Sequence, residues 1–351
     1  MTRLQALLGI ALPIVQAPMA GVQGSALAIA VSNAGALGSL PCAMLSGDGL
    51  RGELQLMRSQ TSLPYNVNFF CHTPAQPDLA RDAAWHAALQ PYYEAFGMDI
   101  NAQPAGPGRA PFSAAVADVL EEFRPPVVSF HFGLPEAALL ARVKSWGAKV
   151  ISTATTVDEA RWLEAHGADA IIAQGLEAGG HRGMFRTDDL STQSGTFALL
   201  PQVVHAVSLP VIAAGGIADA AGVAAALALG AAGVQVGTAY LLCPEATTSA
   251  IHRAALQDES AHHTALTNLF SGRPARGIVN RVMRELGPIG TVVPGFPLAT
   301  AAIAPLRAHA EKIGSGDFSP LWAGQNVAGC REVSARELTL GLATMATIPR
   351  R

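Results

Sequence analysis

Short runs of Ile, Val, Leu, Ala and Phe recur along the chain, each ending in glycine or a small polar residue. Pro210-Val-Ile-Ala-Ala-Gly-Gly-Ile217 and Gly233-Val-Gln-Val-Gly-Thr238 show the pattern most clearly, with a helix-forming stretch, Asp219 to Leu229, between them. Strands are predicted at Ile14–Pro18, Leu37–Leu40, Tyr65–Phe70, Val127–Phe132, Lys149–Thr153, Ala170–Ala173, Val211–Ala214 and Val234–Gly237. Helices fit between them, at Pro135–Trp146, Val157–His166 and Ala218–Leu229, and Thr156 is placed to cap the second of these. Alternating strands and helices specify a parallel sheet with crossover helices. Eight strands is the number of a (β/α)8 TIM barrel.

Two stretches break the repeat. Residues 71–112 lie between the third strand and its helix, are rich in Pro and Gly, and contain a helical piece near Leu79–Tyr93. Residues 245–313 follow the eighth strand and read as several helices with loops. Both leave from the C-terminal rim of the barrel, where they predict a helical lid or side domain. The expected organisation is a barrel over residues 1–70 and 113–244, these two insertions, and a C-terminal segment, 314–351, packing on the barrel.

Composition supports a large core: of 351 residues, 50% are hydrophobic and only 14% charged. A net charge of −3 gives no reason to expect nucleic acid. Cys42, Cys71, Cys243 and Cys330 form no metal-type pair and read as reduced thiols. Met1 to Val15 superficially resembles a signal peptide, but Pro13 interrupts it and it runs into the first strand. Glycines punctuate the Ala-rich stretch 220–234, which is no membrane span. The expectation is a soluble, cytoplasmic protein, monomer or homodimer, with neither membrane nor nucleic acid as partner.

Active sites in this architecture use the C-terminal ends of strands. Here those ends carry Pro18, Met19 and Ala20; Asn68; His131; Gln174 followed by Glu177, Gly179 and His181; Gly215 and Gly216; and Gln235, Gly237 and Thr238. The glycines after the last two strands suit a phosphate bound by bare backbone. The only lysines, Lys144, Lys149 and Lys312, avoid the strand C-termini, which disfavours a Schiff-base aldolase. No convergent Asp and Glu suggest a Mg²⁺ site, and no metal is expected. A lining of amides and glycines suits FMN, a cofactor that brings its own reactivity.

His181, behind Gly179-Gly180, is the leading catalytic candidate, as a general base when neutral or an anion binder when protonated. His131 reads equally as a core histidine or a substrate contact, and His72 is a weaker candidate. His262 and His263 read as solvated helix residues. Glu177 either acts in catalysis or holds its loop. Asn68, Gln174 and Gln235 are read as ligand contacts in preference to structural amides.

Together these residues resemble the nitronate monooxygenases, formerly 2-nitropropane dioxygenases. The resemblance spans Gln16-Ala-Pro-Met-Ala-Gly21, Asn66-Val-Asn68, Val128-Ser-Phe-His-Phe-Gly133, Glu177-Ala-Gly-Gly-His-Arg-Gly183, Ala213-Ala-Gly-Gly-Ile217 and Val236-Gly-Thr238. Leu321-Trp-Ala-Gly-Gln325 is similar to the class I branch. The resemblance implies noncovalent FMN and oxidation of alkyl nitronates, notably propionate 3-nitronate, by O₂. It implies that Pro18, Met19 and Ala20 face the flavin, and that Asn68, Gln174, Gly179, Gly216, Gln235, Gly237 and Thr238 hold it. His181 matches the family's catalytic histidine. Arg273 and Arg276, in Ser271-Gly-Arg-Pro-Ala-Arg-Gly277, also look familial without an assigned role. Some relatives place tyrosines around the substrate, but residues 291–313 contain none. The rival readings are an NAD(P)H-dependent FMN enoyl reductase and a non-catalytic flavin-binding protein.

Overall fold

The structure, a computed structural model, describes residues 1–100 and 109–346. The parts of the predicted insertion and C-terminal segment at 101–108 and 347–351 lie outside the described residues.

Eight parallel strands form the central sheet. They are β1 (Ile14–Gln16), β2 (Gly38–Pro41), β3 (Tyr65–Phe70), β4 (Val127–His131), β5 (Lys149–Ala154), β6 (Ala170–Gln174), β8 (Val211–Ala214) and β9 (Gly233–Val236), while β7 (Gly180–His181) stands apart from it. Their order is β1-β9-β8-β6-β5-β4-β3-β2, and a parallel bridge from Val15 to Leu37 joins the two ends into a barrel. All eight predicted strands are present, Tyr65–Phe70 and Val211–Ala214 with the predicted bounds and the others with ends shifted by one or two residues. Pro18 falls beyond β1, where its missing N–H costs no ladder bond.

Both faces of each strand are covered, so the runs are apolar without alternation. Val15, Leu37, Val127, Ile151, Ile172 and Ile212 fill the barrel interior. Leu4 and Leu8 of α1 (Arg3–Leu8) close its N-terminal end. Outside lie α2 (Ser25–Asn33), α3 (Gly47–Gln60), α5 (Ala114–Phe123), α6 (Ala137–Ser145), α7 (Val157–Ala165), α8 (Thr196–Ala206) and α9 (Ala220–Ala228). The predicted cap is present: Glu159 N–H donates to Thr156 Oγ1 at 3.2 Å. The eighth outer helix, α13 (Ala335–Ala343), packs on α2 and α9 after a long excursion of the chain.

That excursion and the insertion after β3 build one side unit. Trp85, Leu89, Tyr92 and Tyr93 of α4 (Leu79–Ala95) share a core with Val282 and Met283 of α11 (Arg281–Leu286). Ile303 and Leu306 of α12 (Thr300–Lys312) complete it. Trp85 Nε1–H donates to Ala299 O at 3.3 Å, and Tyr93 O–H to Ala302 O at 2.7 Å. Buried aromatic polar atoms need such partners.

Residues 245–313 are not purely helical, as their sequence had suggested. Besides α10 (Ala250–Gln257) they contain β10 (Thr264–Thr267) and β11 (Ala275–Ile278). These two join β7 in an antiparallel sheet of order β10-β11-β7, with His181 opposite Ala275. His181 therefore sits on a short strand and not in a free loop. Among the described residues no helix is long and apolar enough to cross a membrane.

Candidate active site

The C-terminal mouth of the barrel opens into a cavity between the strand ends and the side unit. Its lining includes Pro18, Met19, Ala20, Asn68, His131, Gln174, Gly179, His181, Gly215, Gly216, Gln235, Gly237 and Thr238. Apart from the weaker candidate His72, every position singled out as a catalytic, substrate or cofactor candidate thus reaches one space, although the residues come from separate segments of the chain.

On one side lie the glycines. Gly215 and Gly216 have φ of +116° and +72°, conformations that a side chain strains. A Cβ on Gly215 would also stand 2.7 Å from Thr196 Oγ1. Gly179 has a different constraint: its added Cβ would lie 2.6 Å from the backbone of Ala323 and Gly324. The Trp322-Ala-Gly segment is thereby pressed onto the histidine-bearing loop. Gly324 N–H donates to Thr238 Oγ1 at 2.9 Å, tying it to the end of β9 as well.

The amides differ in availability. Gln174 donates to His181 O at 3.0 Å and accepts from Gly183 N–H at 2.8 Å, so both ends of its side chain already hold the loop. Asn68 donates to Ser129 Oγ at 2.8 Å. Gln235 is the exception, because its Oε1 is buried with no partner. A buried acceptor without a donor is costly, and it marks a place where a ligand N–H is expected. Glu177 resolves toward its loop-holding reading. Its carboxylate accepts Thr196 N–H at 2.8 Å and Thr196 O–H at 2.8 Å, at the N-terminus of α8.

His181 faces aromatic walls. Its ring centroid is 5.4 Å from Phe296 and 5.6 Å from Trp322. Nε2 lies 2.8 Å from Ser271 Oγ, and that hydroxyl donates to Arg273 O at 3.4 Å. With the hydroxyl donating to Arg273 O, Ser271 accepts from Nε2–H and Nδ1 is the basic nitrogen; with the hydroxyl donating to Nε2, the two nitrogens exchange roles. Burial pushes the His181 pKa well below its ordinary value of 6.5, and the positive charge of Arg109 and other neighbours adds to this. His181 is therefore neutral at physiological pH.

His131 lies beside it. Its Nε2 faces His181 O at 3.2 Å and Nδ1 faces Thr153 Oγ1 at 3.1 Å, so Nε2 carries the proton and the threonine hydroxyl donates. Burial lowers its pKa to about 4. With both nitrogens engaged it positions the His181 backbone, while its ring still lines the cavity. His72 is buried against Phe296, with centroids 4.7 Å apart, and its pKa is lowered to about 4 by burial and then by Arg273. His262 and His263 are exposed and lie on and just after a 3₁₀ turn.

Three arginines frame this group. Arg182 is fully buried and donates to Gln174 O, Gly175 O and Gln193 Oε1, which locks the β6–β7 loop. Arg276 does similar work, with Nε–H donating to Leu176 O at 2.9 Å. Arg273 donates to Met184 O and lies over Phe132, its Cζ 4.1 Å from the ring centroid.

Arg109, Ser271, His252 and Trp322 escaped assignment from sequence. None sits at the end of a barrel strand, the one place where the fold rule directs attention. Of these, only Ser271 and Trp322 fell inside recognisable motifs.

The profile of the family described as "Nitronate monooxygenase" matches residues 1–344. A nitronate monooxygenase of Pseudomonas aeruginosa is 44% identical over 342 residues, covering 96% of each chain. A nitronate monooxygenase of Paraburkholderia phytofirmans is 44% identical over 343 residues, covering 96% of this chain and 92% of the other. Among solved structures, nitroalkane oxidase from Streptomyces ansochromogenes superposes with a TM-score of 0.89 at 41% identity, covering 98% of this chain and 97% of that one. FabK from Thermotoga maritima superposes with a TM-score of 0.72 at 28% identity, covering 97% and 94%.

Proposed function

The chain belongs to the nitronate monooxygenase family, and from that premise we propose that it binds FMN and oxidises alkyl nitronates with O₂. The products are a carbonyl compound and nitrite or nitrate, and propionate 3-nitronate is the expected substrate. The observation that carries this reading is a neutral His181 at the cavity wall, in the field of arginines. A neutral imidazole can take a proton from carbon, and a positive field favours the nitronate anion that results.

The donor set fits FMN. Gln235 Oε1 offers an acceptor with no other claim on it, and Gly215 and Gly216 offer backbone free of Cβ atoms to a phosphate. Asn68, Gln174, Gly179, Gly237 and Thr238 would complete the holding set, with Pro18, Met19 and Ala20 against the ring system. Bound there, the flavin would supply the electron-accepting centre that nitronate oxidation needs. His181 Nδ1 receives the α-proton of a neutral nitroalkane, while Ser271 holds the ring in the required tautomer. Phe296 and Trp322 keep water from the imidazole. The described parts of the insertions, residues 71–100, 109–112 and 245–313, act as the side wall over this space.

The visible spectrum of the purified protein, with and without propionate 3-nitronate in air, tests the reading. Flavin bands and nitrite release are expected. Colourless protein that takes up no FMN on reconstitution rejects it. The likeness to FabK favours, as a second reading, an NAD(P)H-dependent enoyl reductase. Rapid anaerobic bleaching by NADH or NADPH would select that alternative.

A further inference from the structure

We infer that Arg109 is a specificity-determining residue that binds a second anionic group, a carboxylate, carried by the substrate at the end remote from its reacting carbon. The inference rests on the proposed nitronate chemistry for the identity of the reacting end, and on the cavity for the rest.

Arg109 lines the same cavity as His181, on the side unit's flank. Its Nη1–H donates to Thr300 Oγ1 at 3.0 Å, and Thr300 O–H passes on to Phe270 O at 3.0 Å. The guanidinium carbon lies 6.0 Å from the centroid of Phe296, whose ring is 5.4 Å from that of His181. One aromatic wall thus borders both the base and the arginine. The Arg109 guanidinium has a fixed position, yet among the described residues no carboxylate lies within ion-pairing distance of it. Of its five N–H donors, only the one on Thr300 is committed within the described chain.

Charge counting sharpens the point. Glu177 is the only acid lining the cavity among the described residues, and Thr196 already takes its carboxylate. His72, His131 and His181 are neutral. Arg109 and Arg273 therefore bring positive charge beside His181, that of Arg273 offset by Asp188 and Glu159 and that of the nearby Arg307 by Glu311. A partly buried, unpaired guanidinium is costly in the free protein. A nitronate brings one negative charge to the reacting end, and Arg273 is already near that end, stacked on Phe132. Arg109, beside Phe296, has donors uncommitted among the described residues for a second anion, and its planar fork matches a carboxylate.

The test compares ligands that differ only in the remote group, on the flavin-loaded enzyme. Propionate 3-nitronate and 1-propyl nitronate serve as substrates. Succinate and butyrate serve as unreactive analogues whose Kd calorimetry reads without turnover. Wild type should bind succinate at least tenfold more tightly than butyrate. Arg109→Met should abolish that preference and lower kcat/KM for propionate 3-nitronate about 100-fold, against less than tenfold for 1-propyl nitronate. Arg109→Lys should restore part of both. Equal binding of succinate and butyrate by wild type overturns the inference, as does a preference that survives in Arg109→Met. If neither nitronate is oxidised while the succinate preference still depends on Arg109, the nitronate reading fails and the carboxylate subsite stands.

Discussion

His181 Nε2 and Ser271 Oγ meet at 2.8 Å although ninety positions separate them in the chain. The contact is made possible by the antiparallel pairing of β7 with β11, which lays the Ser271–Pro274 segment against the histidine. The direction of this hydrogen bond determines which imidazole nitrogen is basic. Ser271→Ala leaves the tautomer unassigned at the cost of about one hydrogen bond. Turnover of neutral nitroalkanes should fall about tenfold, and turnover of preformed nitronates less than threefold. Equal losses on both substrates would show that Ser271 only supports the fold.

Replacement of His181 by Asn removes the base while keeping a polar group of similar reach. Nitroalkane kcat/KM should fall at least 100-fold, and nitronate kcat/KM far less. Steady-state kinetics on one nitroalkane, neutral and pre-ionised, is sufficient. A variant equally poor on both forms would count against proton abstraction by His181.

The pH dependence follows from the buried histidines. His72, His131 and His252 are each lowered from 6.5 to about 4, chiefly by burial, and burial lowers His181 well below 6.5 as well. Because the unfolded chain binds these protons more readily, stability is complete above pH 6.5 and is lost as pH falls toward 4. Carboxylates held down by arginines, such as Glu121 and Glu122, act in the same sense only below their ordinary 4.5. Tm should therefore drop already between pH 6.5 and pH 5, which calorimetry can follow. Nitroalkane kcat/KM should show no acid limb at pH 6.5. A flat Tm across that window, or a limb at 6.5, contradicts neutral burial.

Gln235→Leu separates cofactor binding from folding. Removing an unpartnered buried acceptor should leave apoprotein Tm unchanged or raised. Losing the same acceptor for the flavin should weaken FMN binding about tenfold, measured by fluorescence titration. Unaltered FMN affinity would remove Gln235 from the holding set.

Gly215→Ala tests the strained turn after β8. Both φ of +116° and the 2.7 Å approach to Thr196 Oγ1 oppose a Cβ. Destabilisation of about 2 kcal/mol or more is expected from denaturant unfolding. A loss below about 0.5 kcal/mol would mean that the turn relaxes freely.

The eight barrel strands, the three outer helices after β4, β5 and β8, the glycine turn after β8 and the candidacy of His181 were all legible in sequence. Each is written in a short contiguous stretch: an apolar run covered on both faces, a Thr156 cap, glycines where the backbone bends. The tertiary structure alone decided what those stretches meet. Thr264–Thr267 and Ala275–Ile278 are too short and mixed to announce strands, and they become β10 and β11 only by pairing with each other and with Gly180–His181. Glu177 carries no local sign of whether it serves a ligand or the loop; Thr196 decides that. Arg109 and Ser271 lie outside the strand ends, and the one reaches the cavity and the other His181 only because the described parts of the two insertions fold onto one core. Local patterns encode local geometry, whereas a buried site's charge and protonation depend on neighbours that only the closed fold brings within a few ångströms.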